Sequence, residues 1–233
     1  MPYQYLLFDA DNTLFDFSEA SHLAFAQLLR AEGHDYHETH YATYQAGNEL
    51  VWREFERGLI DARELRVKRF RLFFERSGLG GDPAVYHQQY MDNLIRATEL
   101  LSGTLPLLEK LYGRVRMAII TNGLREAQRP RIRKLGLDRY FDHIIVSDEI
   151  GSAKPDPAFF DYTFAQLQQP DPERVLVIGD SLSSDIQGGL NYGLDTCWFN
   201  PQGKPNEGPV QPRYEVRSIE RVWDIVRGAE EEG

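Results

Sequence analysis

The sequence predicts an α/β fold: a Rossmann-like doubly wound parallel sheet core with an inserted all-helical cap domain. Short apolar runs alternate with segments of helical spacing, the pattern of strands and crossover helices in a parallel sheet. One connection, between the first two runs, reads as helical over roughly a hundred residues, too long for a single crossover. These two observations place residues 1–16 and 101–233 in the core and residues 17–100 in the cap domain.

Residues 3–8 form an aromatic and aliphatic run that stops at Asp9, as a buried parallel strand does when its carboxyl end carries a site. Similar runs recur at 115–120, 143–146, 175–178 and 196–199. Within the insertion, residues 18–32 predict one helix, and 38–57 a second with Tyr44, Val51, Trp52 and Phe55 on one face. Asp61 and Glu64 form a capping pair for a third helix through Arg76, ended by Gly78, Gly80 and Gly81. Asp82 followed by Pro83 starts a fourth, which ends before Ser102 and Gly103. The acidic tail Glu230 to Glu232 reads as a solvated end.

Composition narrows the function. The chain has 233 residues, 42% of them hydrophobic, enough for one large domain and a smaller one. Its longest apolar runs fall well short of the roughly 20 residues that cross a bilayer. Asp9 and Asp11 interrupt the N-terminal run where a secretion signal would continue, so a cytoplasmic protein without membrane partners is expected. The single cysteine, Cys197, lies in an apolar run and reads as a buried structural thiol. A net charge of −10 disfavours polymeric nucleic acid, yet leaves a small phosphorylated molecule open, because a bound cation and a few local bases set the field of a cleft.

Four short motifs stand at predicted carboxyl ends of strands, where ligands bind in sheets of this kind. The first is Asp9-Ala10-Asp11-Asn12-Thr13-Leu14, two carboxylates one residue apart. The second, Thr121-Asn122-Gly123, offers a hydroxyl, an amide and open backbone to phosphate oxygens. Lys154-Pro155 would place a fixed ammonium beside the crevice. The fourth, Gly179-Asp180-Ser181 continuing to Asp185, adds two acids, although Asp185 could equally cap the following helix.

In this order and context the four motifs resemble the haloacid dehalogenase superfamily, whose pattern is Asp-x-Asp-x-Thr, then Ser or Thr, then Lys, then Gly-Asp with a second Asp. The resemblance implies a magnesium-dependent phosphate monoester hydrolase working through an aspartyl phosphate. Asp9 would be the nucleophile, Asp11 the general acid and base, and Thr121, Asn122 and Lys154 the phosphate contacts. The Mg2+ ligands would be Asp9, Asp11 through its backbone carbonyl, Asp180 and Asp185. Members similar to the dehalogenases lack an acid at the second position, because halide needs no proton; Asp11 therefore points to phosphotransfer.

The stretch from Asp9 to Phe17 looks like the start of bacterial pyrimidine 5′-nucleotidases of this superfamily, which makes a nucleoside monophosphate the expected partner. A phosphatase for phosphoglycolate or sugar phosphates and a sugar phosphomutase are the alternatives, and a monomer or homodimer is expected. Among weaker signals, His34, His37 and His40 read as a solvated turn, and Trp52, Phe55, Phe70, Phe73 and Phe74 as the core of the inserted domain. Arg53, Arg63, Arg66, Lys68 and Arg69 read as a charged outer face or as substrate contacts.

Overall fold

The computed structural model describes residues 1–228, so the acidic tail Glu230 to Glu232 lies outside the described residues. Six strands, β1 (Tyr5–Phe8), β2 (Arg116–Thr121), β3 (His143–Val146), β4 (Val175–Gly179), β5 (Asp195–Phe199) and β6 (Tyr214–Val216), form one sheet in the order β3-β2-β1-β4-β5-β6. Every pairing is parallel. The order reverses between β1 and β4, and the crevice outside that switch is where such sheets bind ligands. Asp9 and Asp180 immediately follow these two central strands.

Alternation along β1 shows why the run is apolar on both sides. Leu6 and Phe8 pack with Leu108, Leu176 and Val222 on one face, while Leu7 packs with Ile120, Phe159 and Val177 on the other. Both faces are covered, so the strand has no polar side. The covering residues come from α5 (Thr104–Leu111) and α8 (Val222–Arg227) on the first face, and from α7 (Pro157–Gln166) on the second. Cys197 lies fully buried in the first core, where burial pushes its thiol pKa up and keeps it protonated.

The described chain divides into two compact units: residues 1–16, 99–128 and 132–228 in one, and 17–98 with 129–131 in the other. The second unit is built from α1 (Phe17–Ala31), α2 (Glu38–Glu56), α3 (Ala62–Ser77) and α4 (Pro83–Ala97). Asp61 caps α3 by accepting from the amides of Arg63 and Glu64, and Gly78 ends it with φ of 73°. The side chain of Glu64, expected to answer Asp61, instead accepts from Arg71 at 2.9 Å, so only half of a capping box forms. Asp82 caps α4 through the Ala84 amide.

Aromatic rings fill this unit. Tyr44 stacks on Phe25 and Phe70 with centroids 4.6 and 5.3 Å apart. Phe70 and Phe73 are fully buried, whereas Trp52, Phe55 and Phe74 are half-buried at its margin. Arg69 departs from the outer-face reading. Its side chain is 3% exposed, meets His87 at 2.8 Å and lies over the rings of Phe70 and Tyr90. A flat guanidinium stacks on aromatic faces, so charge alone does not show that it is buried. No helix among the described residues is long and apolar enough to cross a membrane.

Candidate active site

After β1 the chain turns sharply. The Asp9 amide donates to the Ile178 carbonyl at 2.8 Å, locking the end of β1 to β4. Leu14 and Phe15 then donate to the Ala10 carbonyl, and Asn12 takes φ of 58°, a left-handed conformation that Asn tolerates better than most residues. This turn holds Asp9 and Asp11 beside the end of the sheet.

Lys154 is the hub. It is 1% exposed, and its Nζ donates to Asp9 Oδ1 at 2.7 Å, Asp185 Oδ1 at 2.6 Å and the Ile120 carbonyl at 2.7 Å. An ammonium has three protons, and all three are directed by these acceptors. Burial alone would lower the Lys154 pKa, but the charges of Asp185 and Asp9 outweigh it and hold the group protonated. Asn122 fixes the lysine's main chain: its side-chain carbonyl accepts from the Lys154 amide at 2.8 Å, and its NH2 donates to the Lys154 carbonyl at 2.9 Å. The amide expected on phosphate is thus bonded at both ends to the lysine backbone.

Asp185 does not cap the helix that follows. The Ser181 hydroxyl takes that place, accepting from the Ser184 amide at the start of a π-helical turn, Leu182–Ile186. Asp185 is 1% exposed, and its second oxygen accepts from the Ser181 amide at 3.1 Å. Its carboxylate occupies the space beside Gly179, where a Cβ would stand 2.2 Å from Oδ2. Glycine before Asp180 is therefore required by close approach. The Asp180 carbonyl accepts from the Trp198 indole at 2.9 Å.

Asp9, Asp180 and Asp185 each bring one carboxylate oxygen within 4.8 Å of the others. Against them stands Lys154. The shortage of positive charge is visible in protonation: burial, only partly opposed by Lys154, drives the Asp9 pKa well above the usual carboxylate range. Asp180 is pushed up to about 7 by burial and by the charge of Asp185. An all-oxygen, electron-rich donor set fits a hard divalent cation such as Mg2+ and suits softer metals less well.

Thr121 is buried at the end of β2, and its hydroxyl accepts from the Gly123 amide at 3.0 Å. Asp11 stands outside the carboxylate cluster; its Oδ2 accepts from Gln128 Nε2 at 2.6 Å. The structure thus brings Asp9, Lys154, Asp180 and Asp185 together and sets Asp11 beside a residue that the sequence had not singled out. Gln128 lies in α6 (Arg125–Lys134), a strongly charged segment in which no apolar periodicity marks an inward side chain.

Residues 3–193 match the family model of haloacid dehalogenase-like hydrolases. YfnB of Bacillus subtilis, a HAD-hydrolase, is 37% identical over 96% of this chain and 95% of its own. The pyrimidine 5′-nucleotidase PynA of Streptococcus pneumoniae is 36% identical over 97% of this chain and 96% of its own. The pyrimidine 5′-nucleotidase YjjG of Escherichia coli is 34% identical, covering 97% and 99%. A magnesium-bound crystal structure of YfnB superposes with a TM-score of 0.90 at 36% identity, covering 97% of this chain and 99% of that one.

Proposed function

Because the chain belongs to the haloacid dehalogenase-like hydrolase family, we propose that it hydrolyses phosphate monoesters through an aspartyl phosphate on Asp9, with nucleoside 5′-monophosphates as substrates. The observation that carries this reading is the Lys154 ammonium held between Asp9 and Asp185 beside a third carboxylate, Asp180.

A carboxylate approaching a phosphate dianion is repelled by about 4 kcal/mol per pair of unit charges at 4 Å when the effective dielectric is near 20. Lys154 offsets part of that and orients Asp9 by engaging Oδ1, which keeps the nucleophile in one rotamer. Asp9, Asp180 and the Asp11 backbone carbonyl are the groups that would hold Mg2+. Asp185 would join them through a lone pair left by the bonds it accepts from Lys154 and the Ser181 amide, and it fixes the lysine as well. When bound, the cation supplies further charge neutralisation at the phosphate oxygens.

Thr121 retains its own hydroxyl proton while accepting from Gly123, so it can donate to an equatorial phosphate oxygen as charge shifts in the transition state. Asp11 protonates the leaving alcohol and then takes a proton from the water that opens the phosphoenzyme. That work is worth roughly 10² to 10⁴ in rate. The helical unit is assigned the role of a cap that selects the substrate, and the cytoplasm is the assigned compartment.

Phosphate release from a panel of pyrimidine and purine nucleotides, sugar phosphates and phosphoglycolate, with and without magnesium, tests the proposal. Preference for nucleoside monophosphates supports it. Preference for sugar phosphates or phosphoglycolate would overturn the substrate, and isomerisation of a hexose phosphate without phosphate release would overturn the reaction.

A further inference from the structure

Gln128 has the features of a residue placed for one partner. It is 1% exposed, and its Nε2 donates to Asp11 Oδ2 at 2.6 Å, while no hydrogen-bond partner reaches its buried Oε1 among the described residues. Leaving a buried amide oxygen unmatched costs about 1–3 kcal/mol, so packing alone gives no reason for glutamine here. Leucine or methionine would fill the same volume without that cost.

Space for the amide comes from Gly123. A Cβ on that residue would lie 2.0 Å from Gln128 Nε2 and 2.8 Å from Cδ, overlapping the side chain. The sequence alone offers Gly123 as open backbone for phosphate. In the structure the place of its missing side chain is taken by the group that bonds Asp11. The Gln128 backbone N–H donates to the Leu124 carbonyl at 2.9 Å, which ties the residue to the turn after Thr121. Asp11 itself lies two residues past Asp9, in the turn that leaves the end of β1.

We propose that Gln128 is a positioning residue for Asp11: its amide, accommodated by Gly123, holds the carboxylate at the orientation from which it exchanges a proton with the leaving group and the attacking water. Losing the bond removes a contact that fixes the Asp11 rotamer, and misplacement on the scale of 1 Å costs about 10²-fold in rate. The inference rests on the role of Asp11 in the proposed phosphatase reaction.

The test uses leaving groups. The ratio kcat/KM reports the step in which the leaving group departs, and only a basic alkoxide needs a proton then; para-nitrophenolate does not. Gln128→Leu and, independently, Gln128→Met are expected to lower kcat/KM by about 10²-fold for a nucleoside monophosphate while leaving para-nitrophenyl phosphate little affected. Gln128→Leu should fold with unchanged far-ultraviolet circular dichroism. Equal losses on both substrates, or no loss on either, would overturn the proposal. Asp11→Asn run alongside separates the two levels. If it shows the leaving-group dependence and the Gln128 variant does not, Gln128 has no such role; if Asp11→Asn lacks it, the role of Asp11 falls and the proposal with it.

Discussion

The ammonium of Lys154 stands 2.7 Å from Oδ1 of Asp9, across 145 residues of sequence, and both groups are almost wholly shielded from water. At that distance the charge of Asp9 helps keep the ammonium protonated, while Lys154 opposes only part of the upward push that burial exerts on the Asp9 carboxyl. The lysine is also shared with Asp185 at 2.6 Å, so one positive charge is divided between two carboxylates and offsets only part of their charge.

Lys154→Met leaves Asp9 and Asp185 facing each other without their cation. Breaking a buried charge cluster by removing one partner costs about 3–5 kcal/mol, and the loss should be visible in urea denaturation at neutral pH. Turnover should fall by at least about 10³-fold, since positioning and charge stabilisation are lost together. A variant as stable and as active as the parent would show that the lysine is dispensable.

Magnesium should stabilise the protein more in mild alkali than in mild acid. Burial pushes Asp180 up to about 7 in the folded chain, so it binds its proton more tightly there than when unfolded. That contribution is complete below the ordinary carboxylate range, declines above it, and is lost as pH rises through about 7. A cation competes for the same carboxylate. Thermal melts with and without magnesium at about pH 6 and pH 8 should show the larger rise in Tm at the higher pH. An equal or larger rise at the lower pH would contradict the assignment of Asp180.

Gly179→Ala pushes a methyl group into the Asp185 carboxylate, 2.2 Å away, with Asp185 itself packed against Lys154. Overpacking of this kind costs about 1–3 kcal/mol. Because the displaced group anchors the lysine, activity should fall even below the melting transition, which differential scanning calorimetry and phosphate-release assays together can resolve. An active enzyme with an unchanged Tm would mean that the site yields without cost.

Asp11→Asn preserves shape and removes the proton carrier. Its kcat should drop by about 10²–10⁴-fold, and any phosphoenzyme that forms should persist, because the water that opens it lacks a base. Rapid acid quench over a time course measures that lifetime. Decay as fast as in the parent chain would assign the base to another residue.

Strand ends were legible because a buried parallel strand leaves a continuous apolar run, and a carboxylate ending two such runs, Asp9 and Asp180, has no packing explanation. Lys154 was placed by its motif alone. Nothing local in its loop reveals burial, since Asp185, 31 residues later, and Asp9, 145 residues earlier, create its environment. Gln128 lacked even a motif, being one polar residue in a helix of charged ones. β6 was missed for a different reason: its three residues include exposed Glu215, and an edge strand needs one partner only. Arg69 shows the same limit inside the helical unit, where stacked rings hide a charge that composition places outside.

The central claim is that Asp9 carries the phosphoryl group. Acid quench of the enzyme during turnover of a nucleoside monophosphate with magnesium, followed by digestion and mass spectrometry, should find an acyl phosphate on Asp9, and Asp9→Asn should show neither the adduct nor turnover. Phosphate on another residue, or steady-state turnover by Asp9→Asn at the parental rate, would contradict it.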